Sequence, residues 1–381
     1  MKALFVHDHI FFEEHCGFVY SASAFPSRSW ERYLLHFESL VVCGRGELID
    51  QASKSGLVLS SHRNVKFELV AHRRSLGGRF ISHINSGSKL KDLVKQTDAV
   101  IVRLPSRLGI QAISFARAFD TPYAIEVVGC AWDGLWNHGS VLGKLLAPLS
   151  YYRMRRAIYR SKHNIYVTSG FLQKRYPSNS QANVAVASNI EIEILDCKYR
   201  SLSKTVMIGL IGNFKTNYKG LDTAIEALAD LSRQGLDVEL HILGRGNPDA
   251  YISRAKELKV SDRVHFDGVL PNGQPVLEWL DKVDIYIQPS RQEGLPRALI
   301  EAMSRKKICI GSRAGGIPEL LPREYVHDVS SSTGLANVIV RVLNLTEEQR
   351  IDIAIRNHEE ALKYDKNVLE KVRYNFYSAL K

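Results

Sequence analysis

The stretch PSRQEGLPRALIEAM, residues 289–303, places two glutamates eight positions apart, with Gly-Leu-Pro directly after the first. The run DIYIQPS that leads into it predicts a strand, and Pro296 is well suited to the first turn of a helix. Glu293 is therefore expected where a loop meets a helix, and Glu301 about a turn and a half into that helix. Ligands of open α/β sheets bind at such carboxyl ends of strands. A structural interpretation stays open, because acidic residues near helix starts are common.

Short β-rich runs alternate with helical stretches along the chain, which predicts parallel, doubly wound sheets. A polar segment, residues 188–204, separates two series of strand candidates. The first helix of the second series is clear, with Gly235 as its expected C-terminal stop. The predicted fold class is α/β, with two Rossmann-like domains. The strand candidates are residues 2–6, 39–43, 65–70, 98–102, 122–128, 164–169 and 183–188 in the first series, and 205–212, 238–244, 263–269, 284–290 and 307–312 in the second.

Length and composition limit the class of protein. The 381 residues are too many for one ordinary core and suit two domains. A hydrophobic content of 45% and a charged content of 24% are typical of a soluble globular protein, and no apolar run approaches the length of a membrane span. The first residues become acidic too soon for a secretory signal. Five widely spaced cysteines without a CxxC pair favour a reducing cytoplasm.

The positive charge is concentrated in the first half. Residues 1–200 contain 26 Lys and Arg against 16 Asp and Glu, whereas residues 201–381 contain 25 against 24. The first half is therefore expected to face an anionic partner: nucleic acid, an anionic membrane surface or a phosphorylated lipid. A nucleic-acid-binding protein would need a recognisable module with interleaved aromatic and basic residues, and the sequence offers none.

The segment 144–163 combines apolar and basic residues at helical spacing. Such a helix could lie on an anionic bilayer, or it could be a surface helix with a solvated basic face. Both interpretations stay open from the sequence. The apolar residues are Leu145, Leu146, Leu149, Tyr152 and Ile158, and the basic ones are Arg153, Arg155, Arg156, Arg160 and Lys162.

Other loops of the second series suit a phosphorylated ligand. The loop GNFKTNYKG offers Lys215 and Lys219 before a helix, and glycines at strand ends let a ligand approach the backbone. Helix N-termini offer amides to phosphate. Glu301 could bind a ribose, Glu293 a second polyol and the lysines the phosphates between them, which describes a sugar nucleotide. Neither GLIGNF nor HILGRGNPD gives the GxGxxG of a dinucleotide site.

Six motifs together resemble a known family. EGLPRALIEAM, with its E-x7-E pair, resembles the nucleotide-sugar motif of retaining GT-B glycosyltransferases of family 4, which act on bacterial polysaccharides and lipids. IGNFKTNYKGLDTAIEAL, HILGRG, RVHFDGVL, DIYIQPS and SRAGGIPELL match in order across residues 205–321. The resemblance implies an acceptor-binding domain at residues 1–190 and a nucleotide-sugar domain at 203–360, facing each other across a cleft. It also implies a last helix, about 363–381, that packs on the first domain.

The resemblance also implies residue roles. Glu301 would bind the ribose, Glu293 the donor sugar, and Lys219 the diphosphate as it leaves. Many relatives carry an arginine where this chain has Asn213, so Lys215 would take over that contact. The other donor-binding candidates are Gly294, Leu295 and Pro296 along the sugar and diphosphate, Gly268 and Val269 near the base, and Gly212 and Gly244 at the first two strand ends.

No cofactor and no metal are expected. The D-x-D motif that holds a metal in the other large glycosyltransferase fold is absent from the sequence, so cations and amides must stabilise the leaving diphosphate. His7, His9 and His15 lack a cysteine partner or an H-E-x-x-H helix, so a loop near the cleft is the better interpretation than a metal site.

The acceptor side is harder to predict. Relatives often have a histidine at the strand written here PYAIEVVGCAWD, and this chain has none there. Asp133 is the candidate catalytic group on this side, with a plain loop residue as the alternative. Glu126 could be a paired strand residue and Arg103 could meet an acceptor phosphate or form a salt bridge. Gly17 would admit the donor or the acceptor.

The function that we expect is retaining, metal-independent transfer of a sugar from a nucleotide diphosphate. The acceptor would be a lipid-linked cell-surface glycan such as O-antigen, capsule or exopolysaccharide. An anionic membrane surface is an expected partner and nucleic acid is not, which places the enzyme at the inner face of the cytoplasmic membrane. A nucleotide-sugar hydrolase or epimerase of the same fold, and a basic nucleic-acid-binding protein, are the alternatives.

Overall fold

The structure is a computed structural model that describes residues 1–22, 25–50, 56–71, 87–137, 140–190 and 192–380. The described strands form two sheets, one in each half of the chain. The centre of the first sheet is parallel, in the order β10, β9, β8, β7, β1, β3. Its strands are β1 (Lys2–Glu14), β2 (Val19–Ser21), β3 (Ser39–Ile49), β4 (Val58–Leu59), β5 (Val65–Phe67), β6 (Val70–Ala71), β7 (Ala99–Leu104), β8 (Tyr123–Val127), β9 (His163–Tyr166) and β10 (Asn183–Val186).

The first strand is much longer than predicted. The sequence suggested a strand at residues 2–6 followed by a loop, but β1 continues to Glu14 after a register shift beyond Val6. The extension holds together because Phe11 is fully buried and packs against Trp30 and other aromatic rings. The residues expected in a loop therefore lie in a strand, and Gly17 lies in the turn to β2 with φ of 89°.

Helices cover both faces of this first sheet. Alternating strands and helices are typical of a doubly wound fold. A cluster that includes Leu4, Val102, Ile125 and Met154 is fully or almost fully buried between sheet and helices. The described helices are α1 (Glu31–Leu34), α2 at residues 87–95, α3 (Arg107–Ala118), α4 (Ala131–Trp136), α5 (Val141–Tyr159) and α6 (Phe171–Arg175).

The second sheet is entirely parallel, in the order β13, β12, β11, β14, β15, β16. Its first helix, α7 (Leu221–Arg233), ends two residues before Gly235, whose φ of 76° confirms the predicted stop. The strands are β11 (Val206–Asn213), β12 (Val238–Arg245), β13 (Val264–Gly268), β14 (Ile285–Gln288), β15 (Ile308–Ser312) and β16 (Val326–His327). The helices that follow α7 are α8 (Asp249–Glu257), α9 (Gln274–Lys282), α10 (Arg297–Ser304), α11 (Ile317–Leu320), α12 (Ser332–Leu343), α13 (Glu347–Leu362) and α14 (Lys366–Ser378).

The last helix returns to the first half of the chain. On α14, the Tyr377 hydroxyl donates to Glu126 at 2.5 Å, and the Arg373 guanidinium donates to the Ser188 carbonyl. Leu369 and Phe376 of the same helix are almost fully buried. No helix among the described residues is both long enough and apolar enough to cross a bilayer.

Candidate functional site

Lys219 and Glu293 meet at the carboxyl edge of the second sheet. Lys219 Nζ lies 2.7 Å from Glu293 Oε1, although 74 residues separate them in the chain. Gly220 makes this approach possible: its φ is 70°, and a Cβ there would lie only 2.1 Å from the Pro289 carbonyl oxygen. The loop after β11 is thereby held against the loop after β14.

The Glu293 carboxylate is nearly buried and well supplied with donors. Its side chain is 10% exposed, and that of Lys219 is 22% exposed. The same Oε1 also accepts from Ser290 Oγ at 2.7 Å and from Gln288 Nε2 at 3.2 Å. Three donors on one oxygen fix the carboxylate and reduce its nucleophilicity, so it can orient a polyol better than it can attack one.

The GGIPE segment packs on the backbone of the same loop. A Cβ on Gly315 would lie 2.0 Å from the Glu293 carbonyl oxygen, and the Gly316 amide donates to the Gly294 carbonyl at 2.8 Å. A Cβ on Gly294 would in turn lie 2.6 Å from the Val128 carbonyl oxygen in the first half of the chain. The loop that carries Glu293 therefore lies against both halves, with backbone groups at its surface.

Glu301 lies on α10, and its side chain is half-buried. Pro296 is the N-cap of this helix, one position before its predicted place in the first turn. Among the described residues no side chain or backbone group hydrogen-bonds to the Glu301 carboxylate. Burial raises the pKa of Glu301, and the nearby Arg297 opposes that rise. Leu295 packs against the apolar clusters of both halves.

The first loop of the second sheet is shaped by Asn213. Its side-chain oxygen accepts from the Lys215 amide at 3.0 Å and from Thr216 Oγ1 at 3.1 Å, so Asn213 holds a turn. The Lys215 side chain is exposed. Gly212 and Gly244 are direct neighbours on β11 and β12, and a Cβ on Gly244 would meet the Gly212 carbonyl at 2.5 Å.

The segment expected near the base is open. Gly268 ends β13 with φ of 78°, and a Cβ built on it would meet no atom within 4 Å. Val269 is 54% exposed. An exposed apolar side chain after a glycine can lie flat against a planar ring.

Arg103 and Glu126 form a buried ion pair. Arg103 Nε lies 2.7 Å from Glu126 Oε2, and both side chains are at most 10% exposed. Burial alone would raise the pKa of Glu126, but Arg103 and the hydroxyls of Tyr377 and Tyr33 outweigh it and hold the pKa at about 2. The structure therefore shows Arg103 in a salt bridge and Glu126 as a paired strand residue, which were the alternative interpretations of these two residues.

A basic pocket opens between the two halves beside this pair. Arg103 and Arg32 both donate to Asn189 Oδ1, at 3.3 and 3.4 Å, and the Arg103 guanidinium lies over the Phe25 ring. None of the described lining residues is acidic. The polar lining consists mainly of Arg28, Arg32, Arg103 and Asn189 from the first half and Asn272 and Arg297 from the second.

Asp133 lies on α4, near the loop that carries Glu293. The Gln292 side-chain amide, oriented to match the backbone of α4, donates to the Asp133 carbonyl at 2.9 Å and accepts from the Gly134 amide at 3.3 Å. The Asp133 carboxylate itself pairs with Arg175 at 2.7 Å. Its catalytic role stays a prediction, and so does an acceptor role for Gly17 in its exposed turn.

Glu319 joins the two halves and was not singled out from the sequence. Its carboxylate accepts from the Ser169 amide at 2.7 Å, from Ser169 Oγ at 2.8 Å and from the Gly170 amide at 3.1 Å, and also from the Phe171 amide. These donors belong to the start of α6 in the first half. Glu319 belongs to the motif SRAGGIPELL, but its partners at residues 169–171 lie about 150 residues away, and the motif does not indicate them.

The basic helix α5 exposes its leucines. Its inward face consists of small or apolar residues such as Ala147, Met154 and Ile158, so Ile158 does not belong to the outer apolar face with which it was grouped. Leu145 is 72% exposed and Tyr152 is 66% exposed. The exposed apolar residues at and before this helix are Trp136, Val141, Leu142, Leu145, Leu146, Leu149, Tyr152 and Tyr159, and Lys144, Arg153, Arg156 and Arg160 are exposed beside them.

Comparison with known proteins agrees with this architecture. Residues 205–345 match the family model described as Glycosyl transferases group 1. The chain is 29% identical to Protein CapJ of Staphylococcus aureus over 382 residues, which cover 100% of this chain and 95% of CapJ. It is 27% identical over 177 residues to the lipopolysaccharide core biosynthesis mannosyltransferase LpcC of Rhizobium leguminosarum bv. viciae, covering 45% of this chain and 46% of LpcC.

Similar solved structures confirm the fold class. The crystal structure of Anabaena HepE in complex with UDP superposes with a TM-score of 0.69 at 16% identity, covering 100% of both chains. Such low identity is evidence for the fold alone. The matched domain and the two-sheet architecture together support one conclusion: this chain has the GT-B fold, and its residues 205–345 are similar to group 1 glycosyl transferases.

Proposed function

We propose that this protein transfers a sugar, with retention and without a metal, from a nucleotide diphosphate to a phosphate-bearing acceptor of cell-surface glycan synthesis. The observation that carries the proposal is the Lys219–Glu293 pair at the carboxyl edge of the second sheet. Lys219 suits the diphosphate, the fixed Glu293 carboxylate suits the sugar, and the Glu301 carboxylate suits the ribose hydroxyls, so the three side chains fit the three parts of a nucleotide sugar. The complexes of HepE with UDP and with UDP-glucose support a donor of this class.

Each donor group has a physical role in this proposal. A diphosphate brings two negative charges, which compete with Glu293 for the Lys219 ammonium and leave Glu293 free to accept from sugar hydroxyls. Lys219 and loop amides then stabilise the charge that develops as the diphosphate leaves. Glu301 accepts from two ribose hydroxyls. Ser290 and Gln288 keep donating to Glu293 Oε1 when Lys219 turns to the diphosphate, and these hydrogen bonds disfavour a covalent intermediate on the carboxylate.

The basic pocket supports an acceptor that carries phosphate. Arg28 and Arg32 of the first half and Arg297 of the second line it, and Glu126 already neutralises Arg103. Guanidinium groups bind phosphate oxygens in a bidentate manner. A lipid-linked glycan with a diphosphate bridge has this chemistry, and a cleft between the halves would align it with the donor.

The exposed face of α5 supports attachment to an anionic membrane. Its leucines and Tyr152 would enter the interface, and Arg153, Arg156 and Arg160 would meet anionic headgroups. This would place the enzyme at the inner face of the cytoplasmic membrane, where lipid-linked acceptors are reached.

Transfer can be tested with UDP-, GDP- and ADP-sugars and a synthetic lipid-diphosphate-linked sugar. We expect a lipid product from one nucleotide class, with the donor's anomeric configuration retained in its proton NMR spectrum. Glu301→Gln should lose activity, whereas Glu359→Gln, an exposed glutamate on α13, should keep it. Release of free sugar without any acceptor would favour the hydrolase alternative, and an inverted product would contradict retention.

The acceptor and membrane parts have separate tests. Arg28→Gln should raise the KM for the acceptor and leave the KM for the donor unchanged; the opposite result would assign the pocket to the donor. Sedimentation with phosphatidylglycerol vesicles should be lost in Leu145→Glu and kept in Val184→Glu, a control at another exposed apolar residue. Equal sedimentation of both variants would refute attachment through α5.

A further inference from the structure

Two histidines and a glutamate meet on the edge strand β13 of the second sheet and on its neighbour β12. Glu239 and His241 belong to β12, and His265 belongs to β13. His241 and His265 are direct neighbours in the parallel register, and their rings stack with centroids 4.4 Å apart. All three side chains lie on the face opposite the buried Leu240 and Ile242.

The three side chains converge on one point. Glu239 Oε2 lies 3.6 Å from His241 Nε2 and 3.4 Å from His265 Nε2, and all three ligand atoms lie within 4.8 Å of one another. Tetrahedral zinc, with bonds of about 2.0–2.1 Å to nitrogen and oxygen, holds its ligands about 3.3 Å apart. Two of the three separations are therefore already close to those of a bound ion.

A fourth residue orients one of the histidines. A register shift after Ile242 leaves Asp267 as an extra residue on β13, and its Oδ2 lies 3.2 Å from His241 Nδ1. Trp279 Nε1 holds the same oxygen at 2.7 Å. A carboxylate on Nδ1 selects the tautomer whose Nε2 lone pair points towards Glu239, which is the usual support of a metal-bound histidine.

His265 supplies an independent observation. Its Nε2 is shielded from solvent and, among the described residues, has no hydrogen-bonding partner. A shielded polar atom without a partner is costly, and a metal ion would satisfy it. The side chains of His265 and Glu239 are each 39% exposed, so an ion can reach the cluster from solvent.

We propose that Glu239, His241 and His265 bind one divalent transition-metal ion, with zinc as the best fit, and that Asp267 positions His241. Two imidazoles and a carboxylate suit zinc and leave a fourth position for water. The three ligands lie within strands β12 and β13, whereas Lys219 and Glu293 meet in loops at the carboxyl edge of the sheet. The ion therefore takes no part in sugar transfer. It fastens the edge strand β13 to β12, and β13 leads directly into the predicted base segment at Gly268.

The test uses the untagged, full-length protein after treatment with a chelator. Titration with Co²⁺ should give the visible absorption of a tetrahedral site, and Zn²⁺ measured against a chromophoric chelator should bind one ion per chain. Glu239→Gln and His265→Gln should lose this binding. Asp267→Asn should weaken Zn²⁺ binding by about 10–100-fold. His15→Gln, which removes an imidazole that is 77% exposed in the first half, should change nothing.

Several outcomes would overturn the proposal. The titration of the wild-type protein tests the proposal without any variant. If the wild type shows no saturable site for one ion per chain, the proposal is refuted. Binding that survives in Glu239→Gln and His265→Gln, or that is lost in His15→Gln, would place the ion elsewhere. The altered side chains are partly exposed, and circular dichroism of each variant verifies that the chain is folded before its titration is interpreted.

Discussion

Replacing Glu319 by Gln should loosen the contact between the two halves of the chain. The change keeps the size of the side chain, removes its charge and leaves one acceptor oxygen for the donors at Ser169, Gly170 and Phe171. Loss of a helix-capping side chain costs about 0.5–2 kcal/mol, and hydrogen bonds to charged groups contribute about 1.5–3 kcal/mol each. Because the carboxylate is partly exposed, we take about 2 kcal/mol for the whole change.

Hydrogen exchange at residues 169–171 measures this loss directly. A change of about 2 kcal/mol in a local opening equilibrium corresponds to about 30-fold faster exchange of the amides that the opening exposes. Glu324→Gln, an exposed glutamate five residues further on, serves as the matched control and should leave these amides protected. If Glu319→Gln exchanged no faster than the control, Glu319 would not hold the halves together in solution.

Three further changes have expected outcomes. Lys219→Gln should slow sugar transfer by about 10²–10³-fold with little loss of stability, and an unchanged kcat would exclude Lys219 from the leaving-group site. Arg103→Met should lower the free energy of unfolding, measured in urea, by about 3–5 kcal/mol, because Glu126 is left buried and unpaired. The double variant Arg103→Met with Glu126→Gln should recover part of this loss. No recovery would show that the two side chains are not coupled. Burial, with Arg103 nearby, lowers the pKa of His7 to about 3, so native His7 stays neutral while the unfolded chain is protonated below about pH 6.5. Stability should therefore fall as pH falls below 6.5, and between pH 7.5 and 5 the loss should be about 2 kcal/mol smaller in His7→Gln than in the wild type; equal losses would contradict a buried neutral His7.

The sequence predicts the second half of the chain well, because the strands, helices and helix ends there depend on residues close together in the sequence. Alternating strands and helices give the parallel sheet, and the E-x7-E stretch gives a loop followed by a helix. Gly235 and Pro296 mark helix ends through their own backbone preferences. The structure, and not the sequence, places Lys219 beside Glu293: β11 and β14 are neighbouring parallel strands, and their carboxyl ends share one edge of the sheet.

Features that depend on residues distant in the chain could not be predicted from the sequence. The length of β1 depends on the packing of Phe11 against aromatic rings such as Trp30. The polar residues in the second part of β1 are instead typical of a loop. The choice between a salt bridge and an acceptor contact for Arg103 depends on Glu126, which lies 23 residues away. The cluster of Glu239, His241 and His265 requires the register of two adjacent strands, which no single segment specifies.

The central claim is that Glu301 binds the ribose of a nucleotide-sugar donor. Isothermal titration with UDP, GDP and ADP tests it most directly, on the wild type, on Glu301→Gln and on the control Glu359→Gln. We predict that one nucleotide binds, that Glu301→Gln weakens it at least about tenfold, which corresponds to about 1.4 kcal/mol, and that Glu359→Gln leaves it unchanged. Binding of no nucleotide, or equal binding by Glu301→Gln and the wild type, would contradict the account.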